Sequence, residues 1–322
     1  MILLTAMPPT RNPGAVPTAP MVRLLSEQLT RSGEQVRVLV PASNADGWPD
    51  GVAVQIGEVT DPAAVSDAVA GTQRVFLAGL VGESLAPLRE LTNALIIGGV
   101  ARVVVLGSHG SDFEAEISAE TWQWSAFERS LDQHDITWAQ LRPTALMAHA
   151  AVGGYPIPGS GAVDTIGRHQ PVHEFLPNAP YAFIHERDLA EIAATILLDD
   201  GYRGIIDVSG TTISAAERIS TLGAVLGVET TVVELSAEQA VEHWQRNGWP
   251  QDTIDVMLYA LPAFDSDRGN PALREQEERA RALLGRAPRT FGQWATEFAA
   301  PTVVESRPLG RRSARPERGR HR

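Results

Sequence analysis

Cysteine is absent from the 322 residues, and so is lysine: all 27 basic residues are arginines. The first absence excludes disulfides, thiolate metal sites and a cysteine nucleophile. The second excludes Schiff-base chemistry and any lysine-assisted acid–base pair. A GC-rich genome would also favour arginine, and the chemical consequence is the same. No apolar run approaches the ~20 residues of a membrane span. Met1 runs directly into an apolar segment, so a cytoplasmic, soluble chain without a leader is expected. Hydrophobic content of 43% is ordinary for a globule. The net charge of −12 is unevenly placed. Glu305–Arg322 holds seven Arg against two Glu, which leaves the body strongly acidic and argues against a nucleic-acid surface. The tail has almost no apolar residues, and a disordered, solvated terminus is expected there.

What is present is an alternation of strand-like and helix-like runs, the pattern of a doubly wound parallel sheet. The strand-like runs are Met1–Ala6, Val36–Val40, Val52–Ile56, Arg74–Ala78, Arg102–Leu106 and Thr137–Leu141. Helical spacing occupies Met21–Arg31, Pro62–Ala70, Glu83–Gly98 and Ser118–Gln133, with Asp61 an expected N-cap before Pro62. Val152–Pro180 is rich in Gly and Pro without periodicity and is expected to be a loop crossing between lobes. Asp188–Leu198 returns to helix with Asp188 as its expected cap, and Gly204–Val208 is a further sheet strand. The remainder to Ala300 is mostly helical, interrupted by a short strand at Thr230–Glu234. The expected division is a Rossmann-like domain over 1–150 to which 182–212 return. A smaller, mostly helical substrate lobe then comprises 151–181 and 213–303, with a basic tail at 304–322.

A nucleotide-binding unit of this pattern turns from its first strand through G-x-G-x-x-G, whose glycines admit the pyrophosphate to the backbone. Residues 7–18 instead hold four prolines and one glycine, Gly14. A Cβ, or a proline lacking its N–H, removes donors from the anion nest. The end of the second strand, Val40-Pro41-Ala42-Ser43-Asn44, offers neither a carboxylate for a ribose diol nor an arginine for a 2′-phosphate. Arg37, within that strand, is expected on a solvated face.

Seven segments, in order, carry a family resemblance. They are MILLTA at the start, GEVTDPAAVSDAVAG at Gly57–Gly71, RVFLAG at Arg74–Gly79 and GVARVVVLGSHGSD at Gly99–Asp112. ERSLDQHDITWAQLRP at Glu128–Pro143, FIHERDLAEIAATIL at Phe183–Leu197 and LLGRAPRTFGQWATEFA at Leu283–Ala299 complete the set. Together, over roughly residues 1–300, they resemble the NmrA-like branch of the atypical short-chain dehydrogenases/reductases. The resemblance implies NAD(P)H on the N-terminal lobe and a small molecule in the cleft beneath the second. It places Ala6 at the first glycine position, and Arg11, Glu58, Ala78 and Pro143 beside the dinucleotide. Glu58 stands where the family usually has aspartate. Gly79, Leu80, Thr144 and Met147 fall on the substrate side. In the parent superfamily a Tyr-x-x-x-Lys pair precedes the L-R-P strand; here its register falls on Glu120 and Trp124. The usual proton donor is therefore missing.

Glu120, partly desolvated by Trp122 and Trp124, is a candidate acid or base; the plainer reading is a solvated helical carboxylate. His109 follows a strand at the carboxyl edge where such sheets bind ligands, and Ser108 falls where the family often has a serine near the substrate carbonyl. Trp122 and Trp124 are candidate walls for a flat substrate, or ordinary core. Arg142 is expected to tie its strand end to the fold, and His185 and Asp188 are expected to be architectural. His149, His169 and His173 match no metal spacing. Three functions follow: NAD(P)H-dependent reduction of an aromatic or quinone-like molecule in a specialised metabolic pathway, placed first; a cofactor-free isomerase, cyclase or lyase; and a non-catalytic sensor. A homodimer is compatible with each. Neither nucleic acid nor membrane is an expected partner.

Overall fold

The structure is a computed structural model; it describes residues 1–6, 18–78, 86–107, 129–151, 159, 161–249, 251–265 and 270–305. Strands β1 (Ile2–Thr5), β2 (Val36–Val40), β3 (Ala53–Ile56), β4 (Arg74–Ala78), β5 (Arg102–Leu106), β6 (Thr137–Pro143) and β10 (Gly204–Val208) form one sheet. Its order is β10-β6-β5-β4-β1-β2-β3, and every pair is parallel. The order reverses between β1 and β4, which makes that crevice the topological switch point. The central strands are short apolar runs buried on both faces, as a parallel sheet covered by helices requires.

On one face lie α1 (Ala19–Arg31), α5 (Glu186–Leu198) and α9 (Asn270–Leu284), closing a core of Leu4, Val38, Phe76, Val104, Leu141 and Ile206. On the other lie α2 (Pro62–Val69) and α3 (Ala86–Ile97), over Leu3, Val75, Leu77, Val103 and Val105. The expected cap forms: the Asp61 carboxylate accepts the Ala63 N–H at 3.0 Å. Arg37 is not on a solvated face. It is half-buried and donates to the carbonyls of Ala68 (2.7 Å) and Ala70 (3.1 Å), capping the end of α2.

The stretch 152–180 holds more structure than its composition suggests. Among its described residues are α4 (Ala162–Gly167) and β8 (Val172–Phe175), and β9 (Pro180–Ile184) begins at its end. β7 (Ala145–Leu146), β9 and β11 (Thr211–Ser214) pair in a separate three-stranded sheet, order β11-β9-β7. β8 pairs with β12 (Val232–Leu235). Strands of two to five residues pairing across long sequence gaps leave no alternation long enough to recognise. Around them pack α6 (Ala215–Leu226), α7 (Ala237–Arg246), α8 (Gln251–Asp265) and α10 (Phe291–Glu305). α6 and α7 both open with capping boxes, Ser214 with Glu217 and Ser236 with Gln239.

Helix α5 also corrects an expectation. Its cap is His185, whose Nδ1 accepts the Arg187 N–H at 3.1 Å. Asp188 lies in the first turn, fully buried. It accepts from Arg286 Nη2 at 2.8 Å, from the Arg289 backbone N–H at 2.5 Å and from Arg289 Nη1. That network ties the return of the chain to α5, so the architectural roles of His185 and Asp188 are visible as contacts.

Candidate functional site

The carboxyl edge of the sheet gathers the polar groups. β1 and β4 pair in register only as far as Leu4 and Phe76. One residue on, the buried Thr5 hydroxyl accepts the Ala78 N–H (3.0 Å) and donates to the Ala78 carbonyl (3.3 Å). This side chain bolts the two strands together where they separate. Ala6 and Ala78 follow, both buried. Neither puts more than a methyl group into the crevice.

α1 starts beside this point. Thr18 precedes it, Pro20 occupies its first turn, and no acidic residue lies there. The helix end keeps its dipole and the N–H groups of Ala19 and Met21, and loses one donor to proline. Glu58 is exposed just beyond edge strand β3, and its carbonyl accepts the Asp61 N–H.

Further along the edge, Gln140 and Arg142 alternate with the apolar Ala139 and Leu141 of β6 and share the opposite face. Arg142 Nε donates to Gln140 Oε1. Gln140 lies against Gly107, where a Cβ would meet its Nε2 at 2.8 Å; glycine there makes room for the amide. The buried Gln140 Nε2 and Thr144 Oγ1 have no hydrogen-bond partner among the described residues. Buried polar atoms are seldom left so.

Pro143 is buried at the end of β6, and Met147 is enclosed in a separate hydrophobic core with Phe183, Ile219 and Trp294. Next to them, the Glu186 carboxylate accepts the Ala148 N–H at 2.7 Å. Burial pushes its pKa up to about 7, against the pull of that N–H and of Trp294. Burial also pushes His149 down to about 4, so it is neutral at pH 7. Ser108, His109, Glu120, Trp122, Trp124, Gly79, Leu80 and Arg11 lie outside the described residues. Gln140 and Glu186 were not among the expected site residues. The signal for Gln140 was its place, with Arg142, in a strand otherwise apolar; Glu186 had none.

These features suit a dinucleotide: a switch point walled by alanines, a helix terminus free of acidic residues, and unbonded polar atoms at the end of β6. Among the described residues no cluster of His, Asp and Glu could hold a metal. A groove of about 360 Å³ lined by Tyr202, Arg203, Ile205 and Arg279 lies at the other end of the sheet, away from these groups.

Sheet order, switch point and flanking helices define a Rossmann-like α/β protein with a helical C-terminal region. Residues 21–170 match the family model described as NAD(P)H-binding. The match spans just under half of the chain. No curated protein matches the chain by sequence. Among solved structures, an NADPH-dependent quinone oxidoreductase from Escherichia coli, complexed with NADPH, is 18% identical with a TM-score of 0.66. The alignment covers 92% of this chain and 99% of that one. Triphenylmethane reductase of Citrobacter sp., complexed with NADP(H), gives 15%, 0.64 and the same coverage. The UDP-glucose 4-epimerase of Thermus thermophilus, in complex with NAD, gives 17% and 0.53 over 81% of this chain and 100% of that one. At such identities the likeness is one of fold.

Proposed function

We propose that the chain is an NAD(P)H-dependent reductase of a small aromatic or quinone-like molecule, working in the cleft between the carboxyl edge of the sheet and the second lobe. The observation that carries this reading is the switch point itself, closed by Thr5 and lined by Ala6 and Ala78, in a chain whose residues 21–170 match the NAD(P)H-binding model. The quinone and dye reductases that share the fold support the substrate class. When bound, the dinucleotide supplies a hydride.

The chain's own groups do the rest. The helix α1 terminus holds negative charge, and Gln140 Nε2 and Thr144 Oγ1 offer hydrogen bonds at the end of β6. No lysine exists to depress a tyrosine pKa. The reading therefore takes an acceptor whose reduced form draws its proton from water, as a quinone can. His109, Ser108 and Glu120 stay candidates for contact with that acceptor, between walls at Trp122 and Trp124.

Calorimetric titration with NADPH and NADH tests the proposal. Micromolar affinity for either, followed by loss of reduced-nicotinamide absorbance on adding a quinone, is expected. No binding at millimolar nucleotide overturns it. That result would leave a cofactor-free isomerase, cyclase or lyase in the same cleft, consistent with Pro20 at the head of α1, or a non-catalytic sensor.

A further inference from the structure

One arginine near the carboxyl edge has a half without a partner among the described residues. Arg23 is half-buried in the second turn of α1, about 6 Å of helix rise from Ala19. It faces the loop that leaves the carboxyl end of β2. Its Nη2 donates to the Asp46 carbonyl at 2.7 Å, and its guanidinium sits 5.1 Å from the centre of the Trp48 ring. Trp48 is held in turn, its indole N–H bonded to the Asn44 carbonyl at 2.8 Å. The head group is thus oriented by a stacking contact and one hydrogen bond. Among the described residues no carboxylate pairs with it, and its buried Nε has no hydrogen-bond partner. Arg31 on the same helix, by contrast, takes Glu27, the nearest acidic residue of α1, at 2.5 Å.

The place matters. In a dinucleotide-binding sheet the adenosine ribose lies at the carboxyl end of the second strand, where a carboxylate selects the free diol and an arginine the 2′-phosphate. Residues 41–45, Pro-Ala-Ser-Asn-Ala, supply neither; Asp46 follows and meets Arg23 through its carbonyl, with no ion pair between the side chains. Asn44 adds a second donor, Nδ2, that is buried without a partner among the described residues. The full positive charge that the described residues bring to this corner is the one on the helix.

Resting on the reductase reading, we infer that Arg23 selects NADPH over NADH by pairing with the 2′-phosphate, so that the selecting charge comes from α1 rather than from the end of β2. A guanidinium already oriented and without a direct ion pair among the described residues loses little on taking a phosphate. Salt screens an exposed contact of this kind, so the preference falls as ionic strength rises.

The test is the affinity of NADPH and of NADH for the full chain and for Arg23→Met, which keeps an apolar stem against Trp48. NADPH is expected to bind the parent chain at least tenfold more tightly than NADH. Arg23→Met is expected to lose about 10- to 100-fold in NADPH affinity and to leave NADH affinity within about threefold. Arg23→Lys should recover part of the loss, because the charge stays and the fork goes. Equal affinities in the parent chain, or an intact preference in Arg23→Met, overturn the inference while leaving the reductase reading standing. An equal loss of both nucleotides in Arg23→Met overturns it too, as a purely structural role. A parent chain that binds neither nucleotide removes both.

Discussion

The two ends of the central sheet use their polar groups in opposite ways. At the amino end, Arg102, fully buried at the start of β5, donates to the Ile196 carbonyl through Nε (3.1 Å) and Nη2 (2.6 Å), and to the Tyr202 carbonyl (2.7 Å), which leaves its Nη1 alone without a partner among the described residues. Arg74, at the start of β4, donates to the Leu197 carbonyl at 2.7 Å and pairs with Asp200 at 2.7 Å. Two cations thus close the C-terminus of α5, where the helix dipole is negative. At the carboxyl end, among the described residues, Arg23 holds a single hydrogen bond, and Gln140 Nε2 and Thr144 Oγ1 hold none. The same residue type is architecture where carbonyls converge on it and a binding group where they do not. What separates the two is the number of fixed acceptors around each head group.

Breaking the clamped end should cost most. Arg102→Met removes three hydrogen bonds and leaves two carbonyls without their donor, and should destabilise by about 3 kcal/mol or more. A lower urea midpoint at unchanged slope is the expected record; a midpoint matching the parent would show that the clamp contributes nothing.

A smaller, pH-dependent effect should appear at the open end. The folded-state pKa of Glu186 is raised to about 7 by burial, above its value of 4.5. Its contribution is therefore fully present below pH 4.5 and lost as pH rises through 7. Glu186→Gln should match the parent near pH 4.5 and exceed its stability by about 3 kcal/mol near pH 8.5. The comparison is between variant and parent at each pH. His149, lowered to about 4, loses stability in the other direction, as pH falls, in both proteins. A pH-independent difference would place the carboxyl in contact with water.

The smallest change concerns the bolt at the switch point. Thr5→Val keeps the shape and strips the bonds to Ala78, at an expected cost of about 1–3 kcal/mol. It should also weaken NADPH binding, because the strand ends that carry Ala6 and Ala78 lose their tie. Full affinity in a destabilised variant would separate the bolt from the site.

How much of this could be read from sequence depended on the reach of each interaction. The strands at Val36–Val40, Arg74–Ala78, Arg102–Leu106 and Gly204–Val208 coincide with the observed ones, because a buried parallel strand announces itself as a local apolar run. β7, β8 and β11 did not, since runs of two to four residues are too short to show an alternation. His185 as a cap was hidden because a histidine seldom takes that position, whereas Asp61 before a proline was plain. The site was less legible than the fold. Arg23 on an amphipathic helix is indistinguishable from a solvated arginine until Trp48 is folded over it. Gln140 had only its place beside Arg142 in an apolar strand, and the glycine that makes room for its amide is visible only in the fold.

The last strand of the sheet, β10, joins β6 only after the chain has laid down β7, α4, β8 and β9, and α5, which it brings along, lies against α1. The first 150 residues consequently form no portable cassette: excised, they would bare the greasy flank of α1 and an unmatched border on β6.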